Sequence, residues 1–585
     1  MNCYTVCKEA NQINNIVERN GGCMNQVISI GNQGFDSIRQ EQSFYIDKTA
    51  FIKEWWESRD SITLITRPRR FGKTLNMSML NCFFSNRYEG RGDLFEGLVI
   101  WKEEAYRRLQ GTFPVLFLSF AAVKADNLED AKQQLKAQIA GLYEENRFLL
   151  DGTLLSVNEK EEYRKVTMYM GDAESSLALN RLCLYLNRYY GKKVIILLDE
   201  YDTPMQEAYV QGYWKEFTSF VRSLFNASFK TNSCLERAVM TGITRVSKES
   251  VFSDLNNLNV VTTTSKEYAD AFGFTEEEVF AALDLFGMAE RKQDVKKWYD
   301  GFTFGNKKDI YNPWSITNFL DKRELRPYWA STSSNSLVSK LIQTASPEIK
   351  EGMESLLQGE EIVVSFDEQI VFDQLDRSRN AIWSLLLAGG YLRTEEVEYR
   401  GMMLEPWYHL KITNLETFSA FSSMLKGWFE NEASNYSEFV EALLDGKLKE
   451  MNAYMNDVAL TTFSSFDVGN HPSGRTQPER FYHGFVLGLL IELRDRYEVC
   501  SNRESGYGRY DVMLVPRFKT DDAIVMEFKV HDPEEEGSLQ DTVKAALQQI
   551  QEKKYDAELQ DRGISQGRIR HYGFAFEGKK VLIGE

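Results

Sequence analysis

The chain has 585 residues, 43% hydrophobic and 13% aromatic, with a formal net charge of −17. That length exceeds what one hydrophobic core organises, so three or more domains are expected, and the composition excludes a disordered chain. A sequence pI near 5.1 excludes a globally basic nucleic-acid binder but leaves room for metal-binding carboxylates and a local basic groove.

In chain order, residues 1–23 are polar and match no later pattern; a flexible leader over 1–26 is expected, or translation begins at Met24. Residues 62–65 form a short β-branched run, followed by Thr66-Arg67-Pro68-Arg69-Arg70-Phe71-Gly72-Lys73-Thr74 and a helical stretch, giving strand, loop, helix. A second strand is expected over 113–120, then helices with clearest parts at 131–142 and 174–190. The run 193–198 is too continuous for a half-exposed strand, so it reads as a buried parallel strand ending in Asp199 and Glu200. A further strand covers 237–243. Strands alternating with helices predict an α/β sheet with crossovers.

From about residue 270 the pattern turns helical, with Glu276, Glu277 and Glu278 opening a helix after Thr275, and 335–465 reads as largely helical. Pro472-Ser473-Gly474 suits a linker. Beyond it the sequence predicts a helix over 477–495, strands over 509–516 and 523–530, a helix over 539–555 and a closing strand over 572–576.

The seven cysteines, Cys3, Cys7, Cys23, Cys82, Cys183, Cys234 and Cys500, form no zinc pattern with the five histidines and read as reduced thiols of a cytoplasmic protein. No apolar run reaches the roughly 18 residues of a membrane span, and no signal-peptide layout opens the chain, so a soluble protein without a membrane partner is expected.

A phosphate-binding loop needs successive backbone N–H groups turned to one point, a lysine for the β/γ charge and a hydroxyl for Mg²⁺. Gly72, Lys73 and Thr74 supply the end of such a loop, and the helix starting there adds its positive end. Arg67 stands where the usual pattern has its first glycine, so a different bend is required. Asp199 suits a Mg²⁺ position at a buried strand end, and Glu200 suits a base that polarises water. Thr241 reads either as a γ-phosphate sensor or as an ordinary strand-end threonine. Arg245 reads as an arginine finger, in cis or to a neighbour, or as a surface ion pair.

Together, Phe44-Tyr45-Ile46-Asp47-Lys48-Thr49, the Arg67–Thr74 loop, Leu198-Asp199-Glu200-Tyr201-Asp202, Thr241-Gly242-Ile243-Thr244-Arg245 and Trp298-Tyr299-Asp300-Gly301 resemble the AAA-ATPase-like family of bacterial proteins over about residues 27–320. In that family Arg-Pro-Arg-Arg-Phe-Gly-Lys-Thr is the usual loop. The resemblance implies ATP as ligand, with Arg67, Arg70, Phe71, Gly72, Lys73, Thr74, Asp199, Thr241 and Arg245 as binding residues. It also brings in assembly into a homo-oligomer, for which no interface is legible.

Metal-dependent phosphodiester cleavage needs carboxylates on Mg²⁺ and a lysine for the attacking water. Asp511 and Glu527 are the expected ligands. Lys529 lies two residues from Glu527, so both face one side of a strand, with Phe528 turned to the core. This spacing resembles the PD-(D/E)XK nuclease superfamily over about 475–580, in the branch commonly fused behind the ATPase-like domain. The resemblance implies Mg²⁺ or Mn²⁺, a further glutamate at Glu479, and a polar residue at Gln548 or Gln549. Tyr510-Asp511 replaces the family's Pro-Asp. His483 reads as cleft-lining or as a packed core histidine, and Arg517 and Lys519 as backbone-contacting or as plain loop cations.

The expected organisation is a leader (1–26), an AAA-like P-loop domain (27–270), a mainly helical middle (271–470) and an α/β PD-(D/E)XK nuclease-like domain (471–585). The leading reading is an ATP-hydrolysing protein coupled to cleavage of DNA or RNA, the nucleotide gating the C-terminal site through the helical middle. The alternatives are an ATPase signalling switch whose nuclease-like domain only binds a partner, and a scaffold that does not turn nucleotide over.

Overall fold

The computed structural model describes residues 26–244, 255–329, 347–357, 359–368, 380–421, 436–462, 496–501, 504–505, 508–509, 511–532, 536–577 and 580–585, with Phe252, Val338, Leu341, Val486 and Leu493. The chain divides into two compact units, Met1–Trp329 with Ala388–Gly390, and Ala330–Leu387 with Tyr391–Glu585.

The first unit is built on five strands, β1 (Ile62–Thr66), β2 (Val115–Ser119), β3 (Val194–Asp199), β4 (Leu235–Gly242) and β5 (Leu258–Val261), in the order β2-β3-β4-β1-β5. Every pairing is parallel. β1 and β3 are buried along their whole length, as β3's run of five apolar residues and β1's β-branched and aliphatic residues suit in a sheet covered on both faces. β4 lies between them. Ile65 is registered with Thr241 and Leu198 with Met240, so Thr241 and Asp199 reach the same sheet edge beside the loop after β1. The helix Lys73–Phe84 packs Met79, Leu80, Phe83 and Phe84 into one core with Trp55 and Phe95.

Residues 271–329 belong to this unit, and the reason is packing. β6 (Phe274–Thr275), β7 (Phe302–Phe304) and β8 (Lys307–Tyr311) form a small antiparallel sheet, and Phe302 and Phe304 enclose the Phe71 ring at centroid distances of 4.7 and 5.3 Å. Thr275 and Glu278 form a reciprocal capping box on the helix Glu276–Leu285. The buried Lys48 ammonium reaches Glu278 at 2.6 Å and the Asp270 carbonyl at 2.8 Å. Asp47 accepts from Thr49 N and Val99 N. The Asp47-Lys48-Thr49 stretch is therefore a brace between the N-terminal segment and later chain.

Asp300 follows the helix Lys292–Tyr299 and is hydrogen-bonded to Asp309, with Lys296 4.0 Å away and bonded to Glu276, which also accepts from Tyr311 at 3.2 Å. Burial, then the bond to and repulsion from Asp309, push its carboxyl from 3.8 up to about 7, against the Gly301 N–H and Lys296. The native state thus holds a proton that the unfolded chain releases near pH 3.8. Its contribution to stability is complete below that pH and is lost as pH rises through about 7. Asp300→Asn is expected to flatten this fall, read as melting temperature against pH.

In the second unit, the middle region carries strands as well as helices. β9 (Ile362–Val364), β10 (Leu392–Arg400) and β11 (Glu405–Ile412) form an antiparallel sheet in the order β10-β11-β9, where largely helical structure was expected. A short ribbon follows β12 (Tyr497–Ser501), made of β13 (Glu504–Ser505) and β14 (Gly508–Arg509). Then β15 (Val512–Pro516), β16 (Ala523–Val530), β17 (Ile569–Glu577) and β18 (Lys580–Gly584) complete a mixed sheet, order β12-β15-β16-β17-β18, parallel only between β16 and β17. The strand expected to close the fold is β17, and β18 follows it as the edge. The helix Leu448–Thr462 covers that edge: Asn452 and Asn456 exchange paired bonds with the backbone of Ile583 and Val581, at 2.7 to 3.0 Å. Two side-chain amides thus satisfy groups that a bare edge would leave unpaired. The expected linker at 472–474 and helix over 477–495 lie outside the described residues, apart from Val486 and Leu493.

Candidate functional site

The loop after β1 bends through left-handed backbone at Arg70 (φ 67°) and Gly72 (φ 77°). A Cβ at Gly72 would meet nothing within 4 Å, so glycine is needed there for its backbone alone. Left-handed residues on both sides of Phe71, followed by a helix N-terminus at Lys73, make a concavity of N–H groups suited to an anion. This is the bend that replaces the missing first glycine.

Arg67 is placed differently from the expectation that it binds nucleotide. Its side chain is fully buried and its guanidinium donates to the carbonyls of Thr66 (2.9 Å), Thr262 (2.7 Å), Glu267 (3.3 Å) and Tyr268 (3.4 Å). It also lies 4.6 Å from the Phe304 ring centroid. Burial pulls its pKa down to about 9. Arg67 thus ties the loop to the 262–268 segment, and its backbone is engaged as well, the N–H by the Gly242 carbonyl and the carbonyl by Lys73. Arg67→Ala removes four hydrogen bonds to these carbonyls and the packing of the buried side chain, and is expected to cost about 3 kcal/mol, measured by chemical denaturation. Phe71 is a fully buried packing anchor, and the Arg70 guanidinium rests 4.3 Å from the Trp314 ring centroid. The Arg69 carbonyl accepts from Asn312 (3.3 Å) and Trp329 (3.1 Å), so the Asn312-Pro313-Trp314 stretch holds the loop from behind.

The Lys73 ammonium is buried and donates to the carbonyls of Arg67 (3.0 Å) and Pro68 (2.9 Å). Burial lowers its pKa, opposed by Glu200, Asp202 and Asp199. Thr74 Oγ1 donates to Asp199 Oδ2 at 2.7 Å, and Thr241 Oγ1 to Asp199 Oδ1 at 2.5 Å. Burial raises the Asp199 carboxyl, opposed by these two hydroxyls. Glu200 sits at φ 50°, its backbone N–H on Thr241 Oγ1 and its carboxylate accepting from Thr203. Lys73, Thr74, Asp199, Glu200 and Thr241 are therefore brought together; Arg245 lies outside the described residues. A hydroxyl and a carboxylate in direct contact form an oxygen donor set that fits Mg²⁺ beside a phosphate.

In the second unit Asp511, just before β15, accepts from Phe528 N at 2.7 Å, placing it between Glu527 and Lys529 on β16. Glu527 is 2% exposed. The helix Leu539–Lys553 supplies Gln549, whose amide donates to Glu527 while its carbonyl oxygen accepts from Lys529 at 2.8 Å. Tyr555 OH accepts from the same amide at 3.1 Å. Gln549 thus faces the site, and Gln548 bonds Glu552 outside it. Glu479 and His483 lie outside the described residues. Arg517 and Lys519 stand in the β15–β16 turn.

Among the described residues no three His, Cys, Asp or Glu side chains form a metal cage. Asp511 and Glu527 instead fit a hard cation held by one or two carboxylates together with substrate phosphate. Also among the described residues, no helix is long and apolar enough to cross a membrane.

The parallel five-stranded sheet and the later mixed sheet fit the fold of an α/β P-loop NTPase followed by a PD-(D/E)XK nuclease-like domain. Residues 29–252 match the family of predicted AAA-ATPases, and residues 477–585 match the PD-(D/E)XK nuclease superfamily. Over 550 residues the chain is 26% identical to a protein of Azotobacter chroococcum mcd 1 described as an uncharacterized protein in the vnfD 5' region, covering 92% of this chain and 94% of that one. The resemblance therefore spans both units.

Proposed function

We propose that the chain binds and hydrolyses ATP in its first unit and cleaves nucleic acid in its second, the nucleotide cycle licensing cleavage. The observation that carries this reading is the convergence of Asp511, Glu527, Lys529 and Gln549 in a chain that also joins Thr74 and Thr241 to Asp199. In the first unit Lys73 turns from the Arg67 and Pro68 carbonyls to the β- and γ-phosphates. Thr74 and Asp199 would hold Mg²⁺, Glu200 orients the attacking water, and Thr241 follows the γ-phosphate. In the second, Asp511 and Glu527 would hold Mg²⁺ or Mn²⁺, which supplies charge stabilisation at the scissile phosphate. Lys529, held by Gln549, positions the attacking water.

The described cysteines Cys82, Cys183, Cys234 and Cys500 are free, which suits a protein of the reducing cytoplasm. The test is incubation of purified protein with labelled single- and double-stranded DNA and RNA, with Mg²⁺ or Mn²⁺, with and without ATP. Cleavage that rises with ATP supports the reading. ATP hydrolysis with every nucleic acid left intact would overturn it in favour of a signalling switch.

A further inference from the structure

Asp202 is 1% exposed and lies two residues beyond Glu200. Four donors from two elements converge on one of its oxygens, Oδ2: Ile243 N at 3.0 Å, Thr244 N at 2.8 Å, Thr244 Oγ1 at 2.8 Å and Gln206 Nε2 at 3.0 Å. Such a set needs an sp² acceptor oxygen at that one position, which a hydroxyl or ammonium, bringing a donor there, would not supply.

The turn that contains Asp202 grips the end of β4 at further points. Tyr201 N donates to the Thr241 carbonyl at 2.9 Å, and Tyr201 OH to the Thr244 carbonyl at 2.7 Å. A Cβ on Gly242 would come within 2.6 Å of the Tyr201 ring and 2.7 Å of Asp202 Oδ1, so the two segments are at closest approach. Arg67 N donates to the Gly242 carbonyl at 3.1 Å, which extends the contact to the phosphate loop.

We infer that Asp202 is a positioning residue of the phosphate site: it locks the end of β4 to the turn after β3, and thereby holds the Thr241 hydroxyl on Asp199 and on the backbone N–H of Glu200. The Thr241 hydroxyl meets two groups, on β3 and the turn, while its strand ends one residue later, so beyond its ladder partner Ile65 and the Tyr201 N–H its placement depends on how Ile243 and Thr244 are held. Release of Ile243 and Thr244 lets Thr241 drift, and Asp199 and Glu200 lose their common partner. A displacement of about 1 Å at such a site costs on the order of 10²-fold in rate.

The inference rests on the ATP reading, so the experiment carries two readouts. One is phosphate release from ATP. The other is the factor by which Mg²⁺ tightens ADP binding, which needs no turnover and depends on the Thr74–Asp199–Thr241 arrangement. Asp202→Ala is expected to lower ATP turnover about 10²-fold and to abolish most of the Mg²⁺ effect, with metal-free ADP affinity within about three-fold of wild type. Asp202→Asn keeps an acceptor for the four donors and is expected to restore both readouts to within about ten-fold, and Thr244→Val, which removes one donor, to stay within the same range. Wild-type protein that fails to hydrolyse ATP, with the Mg²⁺ effect still lost in Asp202→Ala, would sink the ATPase reading and leave the positioning role standing. An unchanged Mg²⁺ effect in Asp202→Ala overturns the positioning role. So does a parallel loss of metal-free ADP binding, which marks a merely structural residue. Should Asp202→Ala not fold, an Asp202→Asn protein that binds ADP normally and lacks the Mg²⁺ effect also overturns it.

Discussion

Lys73→Ala is expected to reduce ATP turnover on the order of 10³-fold and to weaken nucleotide binding at least about ten-fold, read by phosphate release and by titration with a fluorescent nucleotide. The argument starts from where the ammonium lies. It is buried on the carbonyls of Arg67 and Pro68, in the loop between β1 and the helix that Lys73 opens. Glu200, Asp202 and Asp199 all act on it electrostatically, so it is the cation that balances three acids at this sheet edge. Two arginines of the same loop are engaged elsewhere. Arg67 is committed to carbonyls of the 262–268 segment, and Arg70 rests on Trp314. Removal of the ammonium leaves the β- and γ-phosphates facing carboxylates, and phosphoryl transfer depends almost wholly on positioning and charge. Lys73→Arg, which retains charge but not shape, is expected to recover binding more than turnover. Turnover equal to wild type in Lys73→Ala would place the phosphate site elsewhere.

The parts of this architecture that the sequence announces are those with an unbroken local signal. β3 reads as a buried strand because its run is apolar up to Asp199, and β1 reads as a strand from its short β-branched run, with Lys73 and Thr74 opening the helix that follows the loop. Glu527 and Lys529 flank Phe528 on one strand, and period-two alternation places them together. Contacts made across long sequence separations are silent. An arginine in a phosphate-binding loop suggests a ligand contact, yet the acceptors of Arg67 lie about 200 residues away, on a segment with no apolar pattern to mark it. Asp202 looks like one more acid after Asp199 and Glu200, and its donors at Ile243 and Thr244 are invisible until β4 is laid beside β3. β10 was hidden for a different reason: its residues alternate little, Glu395, Glu396 and Glu398 dilute its apolar character, and only Leu392 is fully buried. Asn452 and Asn456 are ordinary polar residues at helical spacing, and their role appears only once β18 is an edge.

Lys529→Ala is expected to abolish cleavage, by on the order of 10³-fold, while ATP turnover stays within about two-fold of wild type. Lys529 and Glu527 point to the same side of β16, and Gln549 bridges them through the two ends of one amide. That bridge fixes the amide's orientation, since its oxygen must face the ammonium and its nitrogen the carboxylate. Gln549→Ala therefore removes a support but no charge, and is expected to cost about ten-fold. Glu527→Gln keeps an oxygen able to accept from Gln549 but removes the charge that would hold the cation, so its loss is expected to match that of Lys529→Ala, with partial recovery in excess Mn²⁺. The ranking is the test: Lys529→Ala and Glu527→Gln together at the bottom, Gln549→Ala between them and wild type, all with ATP turnover intact. Equal cleavage by wild type and Lys529→Ala would mean that any nuclease activity in the preparation arises elsewhere.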